Sequence, residues 1–237
     1  MKNQYFGDIN DYMKYGLLRL LSHQNEMKTA ICWMLTPDDG RTDGRLTSYL
    51  NKPEKWRQYA PGLYDALKNL IVTKEMRNVQ MAESPAILTA AYFHSEFVPD
   101  DVISRIRYFE VLGNKASGCN LLFFDPDNGI EVESKPYGHK GSAKYIYLRE
   151  LTTSYSDGHS LLIYQHFPRI KRDQYIKKLI LKLSKNMGAE IVYSFRTPRV
   201  LFLLIPQKKH KEYFHSRCRK IENKWKPHIQ VEMHRLT

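Results

Sequence analysis

The densest run of chemically able residues is Asp125-Pro126-Asp127-Asn128-Gly129, directly after the apolar stretch Asn120 to Phe124. Two carboxylates and an amide stand within four positions. Pro126 fixes one backbone φ and Gly129 permits a tight reversal, so the polar groups are held rather than floppy. Such a set can accept hydrogen bonds from an amine, orient a water, or bind a metal. Asp125, Asp127 and Asn128 are therefore the first catalytic candidates.

Three further groups stand near strand ends or on a basic face. Leu162-Ile163-Tyr164-Gln165-His166-Phe167-Pro168 ends an apolar run with a histidine and an aromatic, making His166 a candidate base and Phe167 a stacking face. Met34-Leu35-Thr36-Pro37-Asp38-Asp39-Gly40 continues to Gly44 as a polar, acidic loop. With Asp125, Asp127 and Glu131, Asp38 or Asp39 offers oxygen ligands to a divalent metal. The third group is cationic. Between Arg169 and Lys226 there are 17 Lys or Arg against 4 Asp or Glu, a net of +13, while the whole chain carries +12. The remainder is thus close to neutral, and the basicity is local. A one-sided basic surface suits a phosphate backbone. Arg169, Lys171, Arg172, Lys177, Lys178, Lys182, Arg196 and Arg199 are the expected contacts with RNA or DNA.

These residues need elements to position them. Asp11 to Ser22 has Met13, Leu17, Leu18 and Leu21 on one helical face. Thr29 to Leu35, Ala90 to His94, Asn120 to Phe124 and Ser160 to His166 read as strands, the apolar ones buried on both faces. Pro61 to Leu70, Pro99 to Leu112, Tyr145 to Ser154, Arg169 to Asn186 and Lys208 to Lys224 read as helices. Glu190 to Phe195 and Arg199 to Ile205 are separated by Arg196-Thr197-Pro198 alone, too short for a parallel crossover, so they form an antiparallel hairpin. Alternating strands and helices imply an α/β fold: a Rossmann-like, mostly parallel sheet with a terminal antiparallel hairpin. Ligands in such sheets bind beyond the carboxyl ends of the strands, where the loops after Leu35 and Phe124 both lie.

The hairpin-terminated sheet looks like the class I S-adenosylmethionine-dependent methyltransferase arrangement, which implies a seven-stranded sheet, and three motifs carry the likeness further. Gly7-Asp8-Ile9-Asn10-Asp11-Tyr12-Met13-Lys14 resembles the opening of the adenine-specific large-subunit ribosomal RNA methyltransferases in its Gly7, Asp11 and Lys14. Asp125-Pro126 matches the start of the family's Asp/Asn-Pro-Pro-aromatic loop, with Asp127 and Asn128 replacing the second proline and the aromatic. The segment ending at Pro168 is similar to a third family strand. The resemblance implies methylation of a base amine, with S-adenosylmethionine held by Lys14 and by the loop of Thr36, Asp38, Gly40 and Gly44. The family's glycine-rich pattern after the first strand is reduced here to Gly40 and Gly44. The alternatives are a hydrolase on the same scaffold, either a metal-dependent nuclease or a base-excising glycosylase, and a non-catalytic nucleic-acid-binding module.

Composition bounds the rest. The 237 residues suffice for one domain spanning 1–237, with 1–28 as an N-terminal helical extension and 169–226 as the basic face. With 42% hydrophobic residues the chain folds, and no run of about 18 apolar residues marks a membrane span. Cys32, Cys119 and Cys218 are widely spaced, which argues against a disulfide framework and suits a reducing, cytoplasmic compartment. Gly138-His139-Lys140-Gly141-Ser142 lacks Walker spacing and is expected as a loop over the active site. There is no Gly-x-Ser-x-Gly elbow for acyl transfer.

Overall fold

The computed structural model describes residues 1–23, 26–40 and 44–236. Seven strands build the main sheet: β1 (Thr29–Cys32), β2 (Tyr92–His94), β3 (Leu121–Phe124), then β6 (Ser160–His166), β7 (Ile191–Arg196), β8 (Val200–Ile205) and β9 (Gln230–Arg235). Between β3 and β6 lie two short strands, β4 (Gly129–Ile130) and β5 (Tyr145–Ile146), which pair with each other. The sheet order is β2-β1-β3-β6-β8-β7-β9. Its first four strands are parallel, and β8 is antiparallel to both β6 and β7. The expected α/β, mostly parallel seven-stranded sheet with its hairpin is thus present. In the hairpin turn, Thr197 Oγ1 accepts from the backbone N–H groups of Arg199 and Val200 at 3.2 and 2.9 Å. The seventh strand, β9, pairs antiparallel with β7 and closes that edge.

Helices cover both faces: α1 (Ile9–Ser22), the single turn α2 (Pro53–Trp56), α3 (Pro61–Lys68), α4 (Val102–Ala116), α5 (Leu148–Ser156), α6 (Arg172–Met187) and α7 (Lys211–Trp225). Because successive strand residues face opposite ways, two cores form. Ile31, Leu121, Phe123 and Leu162 pack against α1, α3 and α7. Ala30, Cys32, Leu122, Phe124 and Ile163 pack against α4, α5 and α6. The N-terminal segment is integral to the first core. Phe6, Tyr12, Tyr15, Leu17 and Leu21 are fully enclosed, and Trp225 of α7 closes on Gly16, where a Cβ would meet its ring at 2.1 Å. No helix among the described residues is long and apolar enough to cross a membrane.

Candidate active site

The carboxyl ends of β1, β3 and β6 open into a cleft of about 1450 Å³. Its floor begins with α1. Asp8 caps that helix, its Oδ1 accepting from the N–H groups of Asn10 and Asp11 at 2.8 and 2.9 Å. One turn beyond Asp11, Lys14 buries its ammonium between Asp11 Oδ1 and Asp125 Oδ2, each at 2.7 Å. The rings of Tyr15, Trp33 and Tyr164 lie 5.5, 5.8 and 5.4 Å from the same nitrogen. Asp11 Oδ2 also accepts from Gly7 N–H at 3.0 Å and from the Tyr15 hydroxyl at 2.9 Å.

Asp125 and Asp127 arrive from the end of β3. The backbone N–H of Asp125 still bonds Cys32 of β1, so the ladder carries the first acid into place. Asp127 accepts from the Thr36 hydroxyl, and the Met1 amino group stands 2.7 Å from its Oδ1. That amino group also donates to the carbonyls of Met34 and Asp125 at 2.9 and 3.0 Å. Behind the loop, Gly129 holds φ +104°, and a Cβ there would fall 2.3 Å from Gln165 Oε1. Gln165 accepts from Ile130 N–H at 2.7 Å and donates to the Asn128 carbonyl at 3.2 Å. β6 is thereby tied to the acid loop.

Electrostatics divides the floor. Burial, then the neighbouring Asp11 carboxylate, pushes Asp8 up to about 7 from 3.8, with Lys14 and Asn10 opposing. Burial likewise raises Asp125, against the pull of Lys14. Asp127 moves the other way. Burial works against its charge, but the Met1 ammonium, the Thr36 hydroxyl and Lys2 outweigh it and hold the acid below the usual range. For Lys14, burial opposes the charge, and the Asp11 and Asp125 carboxylates more than restore it.

Of the residues expected to do chemistry, the cleft gathers Asp125, Asp127, Asn128, Lys14 and His166, with Phe167 beside them. His166 is exposed at the end of β6 and within 3.2 Å of the Tyr164 hydroxyl. Arg169, Lys171, Arg172 and Arg199 form a cationic rim with Lys144, which the sequence reading had not singled out. Four expected phosphate contacts have other places. Lys182 pairs with Glu131 at 3.2 Å and Arg196 with Asp173 at 2.6 Å. Lys177 and Lys178 stand exposed on the part of α6 that leads away from the cleft. The Gly138–Ser142 segment, expected over the active site, is not among the residues that line the cleft. Asp100 anchors it by accepting from Gly141 N–H at 2.8 Å, Ala143 N–H at 2.7 Å and the Ser142 hydroxyl at 3.2 Å.

The expected S-adenosylmethionine contacts fit that cofactor poorly. Lys14 is engaged on both sides by Asp11 and Asp125, so its ammonium is not free for the cofactor carboxylate that the resemblance implied. Thr36 serves Asp127. Asp38 is exposed, with its carboxylate 3.4 Å from Gln4 N–H. A close-approach glycine is one where a Cβ would obstruct something. Gly40 has nothing within 4 Å, and a Cβ on Gly44 would strike Tyr5 at 2.1 Å, so its constraint is internal packing. Asp43 lies outside the described residues. No group of three His, Cys, Asp or Glu side chains able to hold a metal occurs among the described residues.

Asp8 and Asn10 were not singled out as site residues. The signal was present in Gly7-Asp8-Ile9-Asn10-Asp11: a helix cap whose polar residues outnumber what capping needs. No family model matches the chain, and no curated protein does. Among solved structures it is similar to a Legionella pneumophila protein described under the family-model name DUF519, with 11% identity over 97% of this chain and 98% of that one, at a TM-score of 0.46.

Proposed function

We propose that this protein hydrolyses a bond within a nucleic acid, the N-glycosidic bond between base and sugar. The observation that carries the reading is one cleft with a cationic rim and a carboxylate floor. Arg169, Lys171, Arg172, Arg199 and Lys144 stand where phosphates would rest, above Asp8, Asp11, Asp125 and Asp127. The floor selects among reactions by charge. Phosphodiester cleavage builds negative charge in its transition state, which a carboxylate floor opposes unless metals intervene. Glycosidic cleavage builds positive charge on the sugar, which carboxylates stabilise.

Two carboxylates displaced in opposite directions supply the proton inventory. Asp8 near 7 retains a proton to give the departing base. Asp127, held ionised, takes a proton from the attacking water, whose oxygen forms the new bond to the sugar. Asp11, Lys14 and Asp125 lock the geometry between them.

The test is release of free base from single- and double-stranded DNA and RNA, followed chromatographically. Asp8→Asn and Asp127→Asn should each lower the rate at least about a hundredfold. Labelled S-adenosylmethionine is the parallel arm. Methyl transfer without base release would overturn the hydrolytic reading and restore the amine methyltransferase.

A further inference from the structure

Among the described residues, two large apolar side chains are both exposed and part of the cleft wall: Leu46 at 38% and Ile170 at 57%. Ile170, the more open of the two, packs in neither core. Phe167, three residues earlier, is different: it lies against the second core, with the Arg172 guanidinium 4.8 Å from the centre of its ring. Arg169, Lys171 and Arg172 surround Ile170 in sequence, and all three stand on the rim. The turn that carries Ile170 is braced. Pro168 fixes a backbone φ, and its carbonyl accepts from Ile170 N–H at 2.8 Å. The Lys171 carbonyl then accepts from Tyr175 N–H at 3.1 Å as α6 begins. A bare hydrocarbon side chain is thus held amid the expected phosphate contacts, between β6 and α6.

The depth of the floor gives that side chain a use. Asp8 and Asp127 are 6% and 8% exposed, whereas Arg169, Lys171 and Arg199 stand in solvent. A duplex resting its phosphates on the rim cannot bring a stacked nucleotide down to those acids. The nucleotide must swing out of the helix, which leaves a gap between the neighbouring base pairs. Proteins that distort a duplex fill such a gap with an apolar wedge, isoleucine among them. A charged or polar side chain would be desolvated there without a partner. We infer that Ile170 is this wedge: it enters the base stack in place of the nucleotide drawn into the cleft, while Arg169 and Lys171 on either side hold phosphates. The inference rests on the nucleic-acid reading of this cleft. It adds the substrate class, a base-paired duplex, and the residue that opens it.

The experiment compares, by fluorescence anisotropy, binding of a fully paired duplex and of the same duplex with one central tetrahydrofuran abasic site, where the gap already exists. Both are made as DNA and as RNA. Wild-type protein should bind the abasic duplex about tenfold tighter in at least one of the two forms, the worth of burying one large aliphatic side chain. Ile170→Ala should bind paired and abasic duplexes alike. Its affinity for the paired duplex and its salt slope should match the wild type, since no charge has changed. Ile170→Leu should keep the preference. The position is exposed, so both variants should fold, which circular dichroism and melting check. Equal wild-type affinity for paired and abasic duplexes in both forms, or a preference that survives in Ile170→Ala, would overturn the inference alone. Failure of every duplex to bind at low salt would overturn it together with the reading beneath it. An abasic preference that depends on Ile170, found without any base release, would uphold the wedge and remove only the hydrolysis.

Discussion

Lys14 carries its ammonium into a place 1% exposed to solvent, and two carboxylates make that tolerable. Removing it strands Asp11 and Asp125 as buried like charges. Lys14→Met should cost about 3–5 kcal/mol, read by urea unfolding, because the loss of one partner leaves the others uncompensated. Asp8 poses the opposite problem. Its folded pKa of about 7 lies above the ordinary 3.8, so between those values the native state holds a proton that the unfolded chain releases. Stability therefore falls as pH rises from about 4 to 7, and the penalty is complete above 7. Asp8→Asn keeps a good cap and removes the penalty. The variant should melt higher than the parent at pH 8, with the gap closing toward pH 5, while base release is lost. A lower melting temperature at pH 8 would show that burial does not burden this acid. In the parent, kcat/KM should decline as pH passes about 7 and Asp8 loses its proton.

The elements matter through their ends. β3 is four residues of buried hydrocarbon, and its work is to deliver Asp125 beside Cys32 at a fixed height in the sheet. The turn that follows is held from behind by Gln165, whose side chain fills the space a Cβ on Gly129 would need. Gly129→Ala adds that clash to an unfavourable positive φ. It should destabilise the protein by about 1–3 kcal/mol and depress turnover more than substrate affinity, since the rim is untouched while the acids shift. Steady-state kinetics would separate the two effects. Strand β9 shows what a sequence reading passes over. Ile229, Val231 and Met233 alternate with Gln230, Glu232 and His234, a visible period of two. Only the pairing with β7 shows that this short polar segment completes the sheet.

At the scale of the molecule, charge in the sequence and charge at the cleft are different quantities. The basic quarter supplies the rim from the β6–α6 connection and the hairpin turn, and then continues along α6 and α7 away from the site. Replacing Arg169, Lys171, Arg172 and Arg199 with Gln should reduce the salt slope of nucleic-acid binding by about 3, near 0.7–0.9 per phosphate contact. Lys177→Gln with Lys178→Gln should change it by less than half as much per residue. An equal effect per residue would mean that nucleic acid runs along the whole basic face, rather than into the cleft.

The sequence by itself determined the alternation of strands and helices, the antiparallel hairpin and the strand-end place of the Asp125–Asn128 loop. Each follows from local periodicity, from a connection too short to cross over, or from turn residues after an apolar run. It placed Lys14 and Asp125 each in a site, 111 positions apart, without showing that they meet. Only the tertiary structure decided that. It put α1 into the core, turned Lys14 onto Asp11 and Asp125, and drew Asp127 toward Thr36. It also separated the cationic residues that face the cleft from Lys182 and Arg196, which are paired elsewhere. The physical reason is that a residue type states what bonds a side chain can make. Packing alone states which partner is within reach, and burial then decides which charge survives there.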